Sequence, residues 1–539
     1  MHHKVCPNVM IIKNLARSLR CDGGVWAAAA MGRSLKEHPR RRGALAACCA
    51  FLLFHGASSA PLEKVVAPVE RAGFSILTSH DSLQAFLRLL ATRPEVTLRQ
   101  IAHSGQGRSV DAVFISSSAS PSPDRSRLRV LLFAQQHGDE PSGKEALTML
   151  AAGLVSGAID TVLEEMDLVL APQMNPDGAE LRQRWTADSL DQNRSHLLLS
   201  TPEVRGLHEL FQRWSPHVTV DVHEYNAFSK SWVEAGIIRA ADVQLGLLTN
   251  PNVPERLRAF QSREILPAVA AGMERNGYSF HEYIVGSPQS RIRHSTTEIN
   301  DGRQSFGILA TLSFIQEGRQ EETLEKNLER RVRSQLTALE ALLDVCARRA
   351  REIQHLVENE RARGASRIGE PFATVMEHVA GPHTLHVPVF DAGRGEKTLW
   401  QVTPYHGEVT VLSREILPVG YVIPDSLKDL RDLLQAHGSK LTAVVTEERR
   451  QAGLYVLDTL WTEELEEQPH LRVGYRLRDT TVTISFGHWI IPLDQAGALM
   501  IASILEPASI WGVSRYERFA QLYQQRIFPI IRLGASPRR

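Results

Sequence analysis

The chain has 539 residues, of which 43% are apolar and 23% charged, enough for two or three packed domains and too apolar for disorder throughout. Lys plus Arg and Asp plus Glu balance at 61 each. No overall field would therefore gather nucleic acid or anionic lipid, and a small or peptide substrate is the more natural partner.

Near the start, Arg40, Arg41 and Arg42 precede an apolar run from Ala44 to Phe54, followed by the small residues Gly56 to Ala60. This reads as a secretory signal peptide within residues 1–60, with Met31 a candidate true start. The run is too short for a stable membrane anchor, which takes about 20 residues. Pro61 next to Ala60 is unfavourable for cleavage there, so the cut bond is left open. The expected location is outside the cytoplasm, periplasmic or secreted. Four of the five cysteines, Cys6, Cys21, Cys48 and Cys49, fall in or before this segment, so the mature chain carries only Cys346 and no internal disulfide.

From Leu128 onward, apolar runs of strand length alternate with helical patterns. Arg129 to Gln135 reads as a buried strand and Ser142 to Leu154 as the helix after it. Asp167 to Met174 is a second strand, closed by the turn Asn175-Pro176-Asp177-Gly178. Thr201 is an N-cap with Pro202 at the first helical position, opening a helix to about Trp214. His217 to Val222 and Ile308 to Ile315 are further strands, and a charged amphipathic helix runs from about Glu321 to Arg363. Together these predict an α/β domain over 61–365 with a mixed, mostly parallel central sheet flanked by helices. After Ile368, short alternating segments with one helix near Leu427 to Ala436 predict a smaller β-rich α+β domain over 366–539.

The chemistry gathers at strand ends. HGDE (137–140) follows one predicted strand, NPDG the next, His223 ends a third and Glu317 follows a fourth. In open α/β sheets, ligands bind at the carboxyl ends of strands. With 21 histidines, roughly one or two His-x-x-Glu pairs arise by chance, so the pair alone is weak. Its position beside His223 is what lets two histidines and a glutamate converge as a catalytic zinc set with one open position. No HExxH, CxxC pair, G-x-S-x-G elbow or P-loop competes with it. Asp191 and Asp221 both suit the role of an acid orienting a ligand imidazole, Asp221 because it faces the same side of its strand as His223.

These residues resemble the zinc carboxypeptidases of peptidase family M14. The resemblance runs in order through IAHSGQGRSVDAVFIS, QQHGDEPSGKEAL, NPDG, RWTADSLDQNRSHLLLSTPEV, VTVDVHEYN and SFIQEGR, from Ile101 to Arg319. The region from Tyr421 onward also resembles the C-terminal extension of long bacterial members. The resemblance implies one zinc ion per chain held by His137, Glu140 and His223, with Glu317 as general base toward a zinc-activated water and Arg184 polarising the scissile carbonyl. It implies that Asn193 and Arg194 hold the terminal carboxylate and that Asp191 orients a ligand histidine. Arg303 is a further candidate carboxylate contact. The expected activity is removal of C-terminal residues from peptides with a free terminal carboxylate. The alternatives are a zinc amidase or deacylase acting on small acylated amino acids or cell-wall peptides, and a silent module that binds peptide ends. Three departures stand out: Ser195 follows Asn-Arg, Gln316 and Gly318 flank the proposed base, and no motif places a substrate-capping tyrosine, for which Tyr278 and Tyr283 are candidates. No pattern specifies the oligomeric state.

Overall fold

Three strand sequences with no exposed position but the last set the architecture. LRVLLFA, MDLVLA and VTVDVHEYN are buried along their whole length apart from Asn226, as strands covered on both faces must be. The computed structural model describes residues 65–117, 127–157, 160–364, 366–465 and 467–534. The signal-peptide region, including Met31, lies outside them. Among the described residues before 321 there are eleven strands: β1 Val96–His103, β2 Ser109–Ile115, β3 Leu128–Ala134, β4 Met166–Ala171, β5 Val218–Asn226, β6 Ile237–Arg239, β7 Val243–Gly246, β8 Phe280–Glu282, β9 Ile284–Val285, β10 Ile292–His294 and β11 Leu312–Gln320.

Eight of them form one mixed sheet in the order β1-β2-β4-β3-β5-β11-β7-β8. The centre β4-β3-β5-β11 is parallel throughout, whereas β1-β2, β2-β4 and β11-β7 are antiparallel. All the carboxyl ends of the parallel core thus open on one edge. The helix Ser142–Val155 is buried over nearly every residue. The helix Pro202–Trp214 begins as expected, with the Thr201 hydroxyl accepting from Val204 N and Pro202 in the first turn.

Four local readings differ from expectation. The NPDG segment is a short helix, Pro176–Glu180, because the Asn175 side chain accepts from Gly178 N and caps it. The strand holding His223 continues to Asn226. The apolar run from Ile308 is not all strand. Asp301 Oδ1 accepts from Arg303 N and Gln304 N, starting a short helix at Gln304–Gly307. That helix closes through Ala310 at φ 55 before β11 begins at Leu312. Glu317 therefore lies inside β11 and not after it. The long charged helix is two helices, Leu328–Arg348 and Ala350–Gly364. Glu321 accepts from Arg319 and Asn327 side chains, local contacts that hold residues 321–327 out of the first helix.

After Ile368 the chain is β-rich. Pro371–Val379 pairs with Glu408–Ile416, and a six-stranded sheet includes the long hairpin Glu448–Leu465 and Gln468–Ile484. This region also adds strands to the earlier part: Leu385–Asp391 pairs with β6, and Tyr405–His406 pairs with β10. Cys346 is free and buried. Among the described residues no helix is long and apolar enough to cross a membrane.

Candidate active site

At the carboxyl edge of β3 the chain turns into His137-Gly138-Asp139-Glu140. The turn packs so closely on the Asn175-capped helix that a Cβ on Gly138 would sit 2.0 Å from the Gly178 carbonyl carbon, so only glycine fits. Gly138 N also donates to Arg184 O. The loop bearing Arg184 and the loop bearing His137 are therefore tied by backbone contacts before any side chain is considered.

His137, Glu140 and His223 are all buried, and a ligand atom of each lies within 4.8 Å of the others. Glu140 sits astride both rings, with Oε1 2.7 Å from His137 Nδ1 and Oε2 2.8 Å from His223 Nδ1. The two Nδ1 atoms face each other at 3.1 Å. On the far side of each ring stands a carboxylate: Asp191 Oδ1 is 3.2 Å from His137 Nε2, and Asp221 Oδ1 is 2.8 Å from His223 Nε2. Each ring thus stands between two carboxylates, and with a cation bound on the Nδ1 side the outer carboxylate would accept from the Nε2 proton and fix the tautomer. Without a cation, the close approach of the two Nδ1 atoms and the Glu140 carboxylate is balanced only by protons on the rings. The donor set, two imidazoles and one carboxylate, fits zinc. Of the two acids that sequence left in competition, each serves a different histidine.

Asp221 is itself held. Its Oδ2 accepts from Gln136 Nε2 at 2.8 Å, and Gln136 Oε1 stands 2.8 Å from His196 Nε2, whose Nδ1 lies 3.0 Å from His208 Nε2. Burial pushes His196 down to about 3, so this chain of contacts is neutral beyond Asp221. Gln136 was not singled out in the sequence, although it directly precedes His137. Gln136→Leu is expected to weaken metal affinity by about 10- to 100-fold, measured by competition with a chelator. Unchanged affinity would mean that Asp221 keeps His223 in place without the bridge.

Arg184 donates from Nε and one terminal nitrogen to Asp191 Oδ2 at 3.1 and 2.9 Å. Its other terminal nitrogen stands 3.2 Å from His137 Nδ1 and 3.7 Å from Glu140 Oε1. One aspartate thus orients a ligand histidine and an arginine at once. Burial opposes ionisation of Asp191, but the hydrogen bond from His137 and the charges of His137, Arg184 and Arg194 outweigh it and hold the carboxyl well below the usual range. Burial likewise opposes ionisation of Glu140, and His137 and His223 again hold it well below that range.

Glu317 behaves oppositely. It is in register with His223 across the parallel β5-β11 pair, so both side chains leave the sheet on the same face. Burial, offset in part by His223 and reinforced by the Glu140 carboxylate, pushes it up to about 7, where a group can both take and return a proton near neutrality.

Asn193 and Arg194 follow Asp191 in a single short turn capped by the Asp191 side chain. Asn193 Oδ1 accepts from Gly302 N at 2.8 Å, and its amide nitrogen stands 3.3 Å from His223 Nε2 at the cavity wall. Arg194 is exposed into the cavity. Arg303 is fully buried, with one terminal nitrogen 2.9 Å from Asp301 Oδ2. His137, Glu140, Arg184, Asn193, Arg194, Arg303 and Glu317 line one cavity of about 530 Å³, with His223 behind Glu140. Tyr283 lines it as well, whereas Tyr278 lies 5.1 Å under the Arg330 guanidinium. Arg239, which no motif marked, also enters the wall, stacked over the Tyr225 ring at 4.5 Å and the Trp232 ring at 5.2 Å. The long C-terminal hairpin contributes Gln468.

Comparison with known proteins finds relatives of this chain. Residues 83–199 match the Peptidase M14 zinc carboxypeptidase family model, a span that includes His137, Glu140, Arg184, Asn193 and Arg194. Carboxypeptidase 2 of Trichophyton tonsurans is 27% identical over 455 residues, covering 81% of this chain and 83% of its own. The probable carboxypeptidase 2 of Arthroderma benhamiae is 28% identical over 382 residues, covering 68% of this chain and 72% of its own. A metallo-carboxypeptidase from Pseudomonas aeruginosa, solved with (2-guanidinoethylmercapto)succinic acid, aligns at a TM-score of 0.39 with 21% identity, over 51% of this chain and 69% of that one. Residues 83–199 thus match a zinc carboxypeptidase domain of peptidase family M14, and the curated relatives that align over most of the chain are carboxypeptidases.

Proposed function

We propose that the protein is an exported exopeptidase that hydrolyses the last peptide bond of peptides with a free C-terminal carboxylate, using one zinc ion held by His137, Glu140 and His223. The observation that carries this reading is the meeting, in one cavity, of that ligand trio with Arg184 beside it, Glu317 on the neighbouring strand, and Arg194 with Asn193 on the adjoining loop. Zinc bound there would supply a Lewis acid for the scissile carbonyl and lower the pKa of water from 15.7 to about 7.

The remaining chemistry belongs to side chains. Glu317 takes the proton of the attacking water and passes it to the leaving amine, a role its position near neutrality suits. Arg184, locked on Asp191, presents a fixed cation where the carbonyl oxygen gains charge, worth roughly 3 to 4 kcal/mol in the transition state. The planar fork of Arg194 can make two parallel hydrogen bonds to the terminal carboxylate, and the Asn193 amide adds another donor. Asp191 and Asp221 keep the ligand rings in the required tautomer. In this reading residues 61–365 carry the catalysis. The β-rich region 366–539 completes the cavity rim through Gln468.

The test is release of free amino acids from peptides with free or amidated C-termini. Free-ended peptides should be trimmed one residue at a time, and amidated ones left intact. Equal cleavage of both would turn the assignment toward the amidase or deacylase alternative.

A further inference from the structure

We propose that the cavity selects a terminal residue whose own side chain ends in a carboxylate, glutamate or aspartate, with Arg303 as the residue that reads it. The inference rests on the exopeptidase reading and names its substrate class.

Arg303 has no exposed surface, and only one of its guanidinium nitrogens is engaged by Asp301, while Nε and the second terminal nitrogen have no partner. A buried charged donor left unpaired is costly, and such groups are nearly always satisfied by protein, water or ligand. Asp301 does not satisfy the rest of the fork. Its Oδ1 is committed to the backbone of Arg303 and Gln304 and its Oδ2 takes a single contact.

The guanidinium is held at the wall between β7 and β11 because Gly246 makes room for it. A Cβ there would lie 2.8 Å from an Arg303 terminal nitrogen, 2.5 Å from Ile315 Cγ2 and 2.9 Å from the Tyr283 ring. Ile315 shares a face of β11 with Glu317, two residues and thus roughly 7 Å away. The Arg303 turn is also pinned to the carboxylate clamp. Gly302 N donates to Asn193 Oδ1 at 2.8 Å, and Asn300 Nδ2 donates to Arg194 O at 2.6 Å.

Two arginines on hydrogen-bonded turns therefore face one cavity, Arg194 open to it and Arg303 deeper in the wall. With the α-carboxylate on Arg194, the side chain of the same residue points to Arg303. A carboxylate of Glu or Asp reach accepts from both unpaired N–H groups in the bidentate manner arginine favours. A lysine would meet a like charge, and a leucine would leave the donors unpaired. The Tyr283 ring borders the same part of the wall and lines the cavity with Arg303.

The experiment has two arms on the zinc-loaded full chain. In the first, kcat/KM is measured for peptides identical except for a terminal Glu, Asp, Gln, Leu or Lys. Glu is expected to exceed Gln, Leu and Lys by at least about 10²-fold, since a site built to pair a polar group rejects analogues lacking it. In Arg303→Met the Glu-to-Leu ratio should fall by at least about 10-fold. Arg303→Lys, which keeps the charge, should retain part of it, with metal content and thermal melting verifying that both variants fold. In the second arm, binding of free L-glutamate and L-glutamine is compared by calorimetry, which needs no turnover. Glutamate should bind at least about 10-fold tighter, and Arg303→Met should remove the difference. Peptide trimming with no Glu preference, or a preference that survives Arg303→Met, overturns the inference and leaves the exopeptidase reading intact. Selective glutamate binding without trimming of any peptide sustains the Arg303 site and overturns the exopeptidase reading.

Discussion

Glu317→Gln is expected to lower kcat by about 10²- to 10⁴-fold while zinc content stays at that of the wild type. The two side chains have the same shape, so the packing around this buried position is kept, and no metal donor is removed. What is lost is the ability to accept a proton. A second consequence follows from the raised carboxyl. In the metal-free protein, burial and Glu140 push Glu317 up to about 7, so above pH 7 its ionisation works against folding, while below about pH 4.5 the group is protonated folded or unfolded and has no effect. Metal-free Glu317→Gln should therefore melt higher than the metal-free wild type at pH 8, with the gap closing as pH falls through 7 toward 4.5. Turnover unaffected by the substitution would place the base elsewhere, with Asp139, the other carboxylate in the ligand turn, the next to examine.

His223→Ala should abolish both metal binding and turnover. The wild type is expected to hold about one zinc per chain after gel filtration and the variant less than about a tenth of an equivalent, because Glu140 and His137 alone leave two donors. The melting temperature supplies an independent reading. A ligand that binds only the folded state stabilises it, so chelation should lower the wild-type melting temperature and leave that of the variant unchanged. The substitution also strips Asp221 and Glu140 of a close partner at 2.8 Å each, so the variant should be less stable than the chelated wild type, by an amount that Asp221→Asn in the same background partly recovers. A variant that kept a full equivalent of zinc would remove His223 from the ligand set.

Much of this site was legible in the chain because each part sits in a short segment with its own local signal. The His-Gly-Asp-Glu turn follows an uninterrupted apolar strand, and the Asp-Gln-Asn-Arg turn caps itself through Asp191. The Thr201-Pro202 helix start was equally plain, since capping is a contact between neighbours. The bounds of β11 were not. The run Ile308 to Ala310 suits a strand, and only the Asp301 side chain bonding to Arg303 N and Gln304 N turns it into the end of a short helix. The same shift moved Glu317 from beyond a strand into register with His223.

The sequence by itself determined which candidate residues stand together at one sheet edge, because strand burial, caps and ligand spacing are set by residues a few positions apart. Only the tertiary structure decided the pairings across long separations. Asp191 serves His137 while Asp221 serves His223, Gln136 joins Asp221 to a buried histidine row, and Gly246 opens the wall to Arg303. The reason is that these are contacts between side chains whose partners lie up to 85 positions away. Which oxygen meets which nitrogen is fixed by how β3, β5, β7 and β11 pack side by side, and no local pattern encodes that.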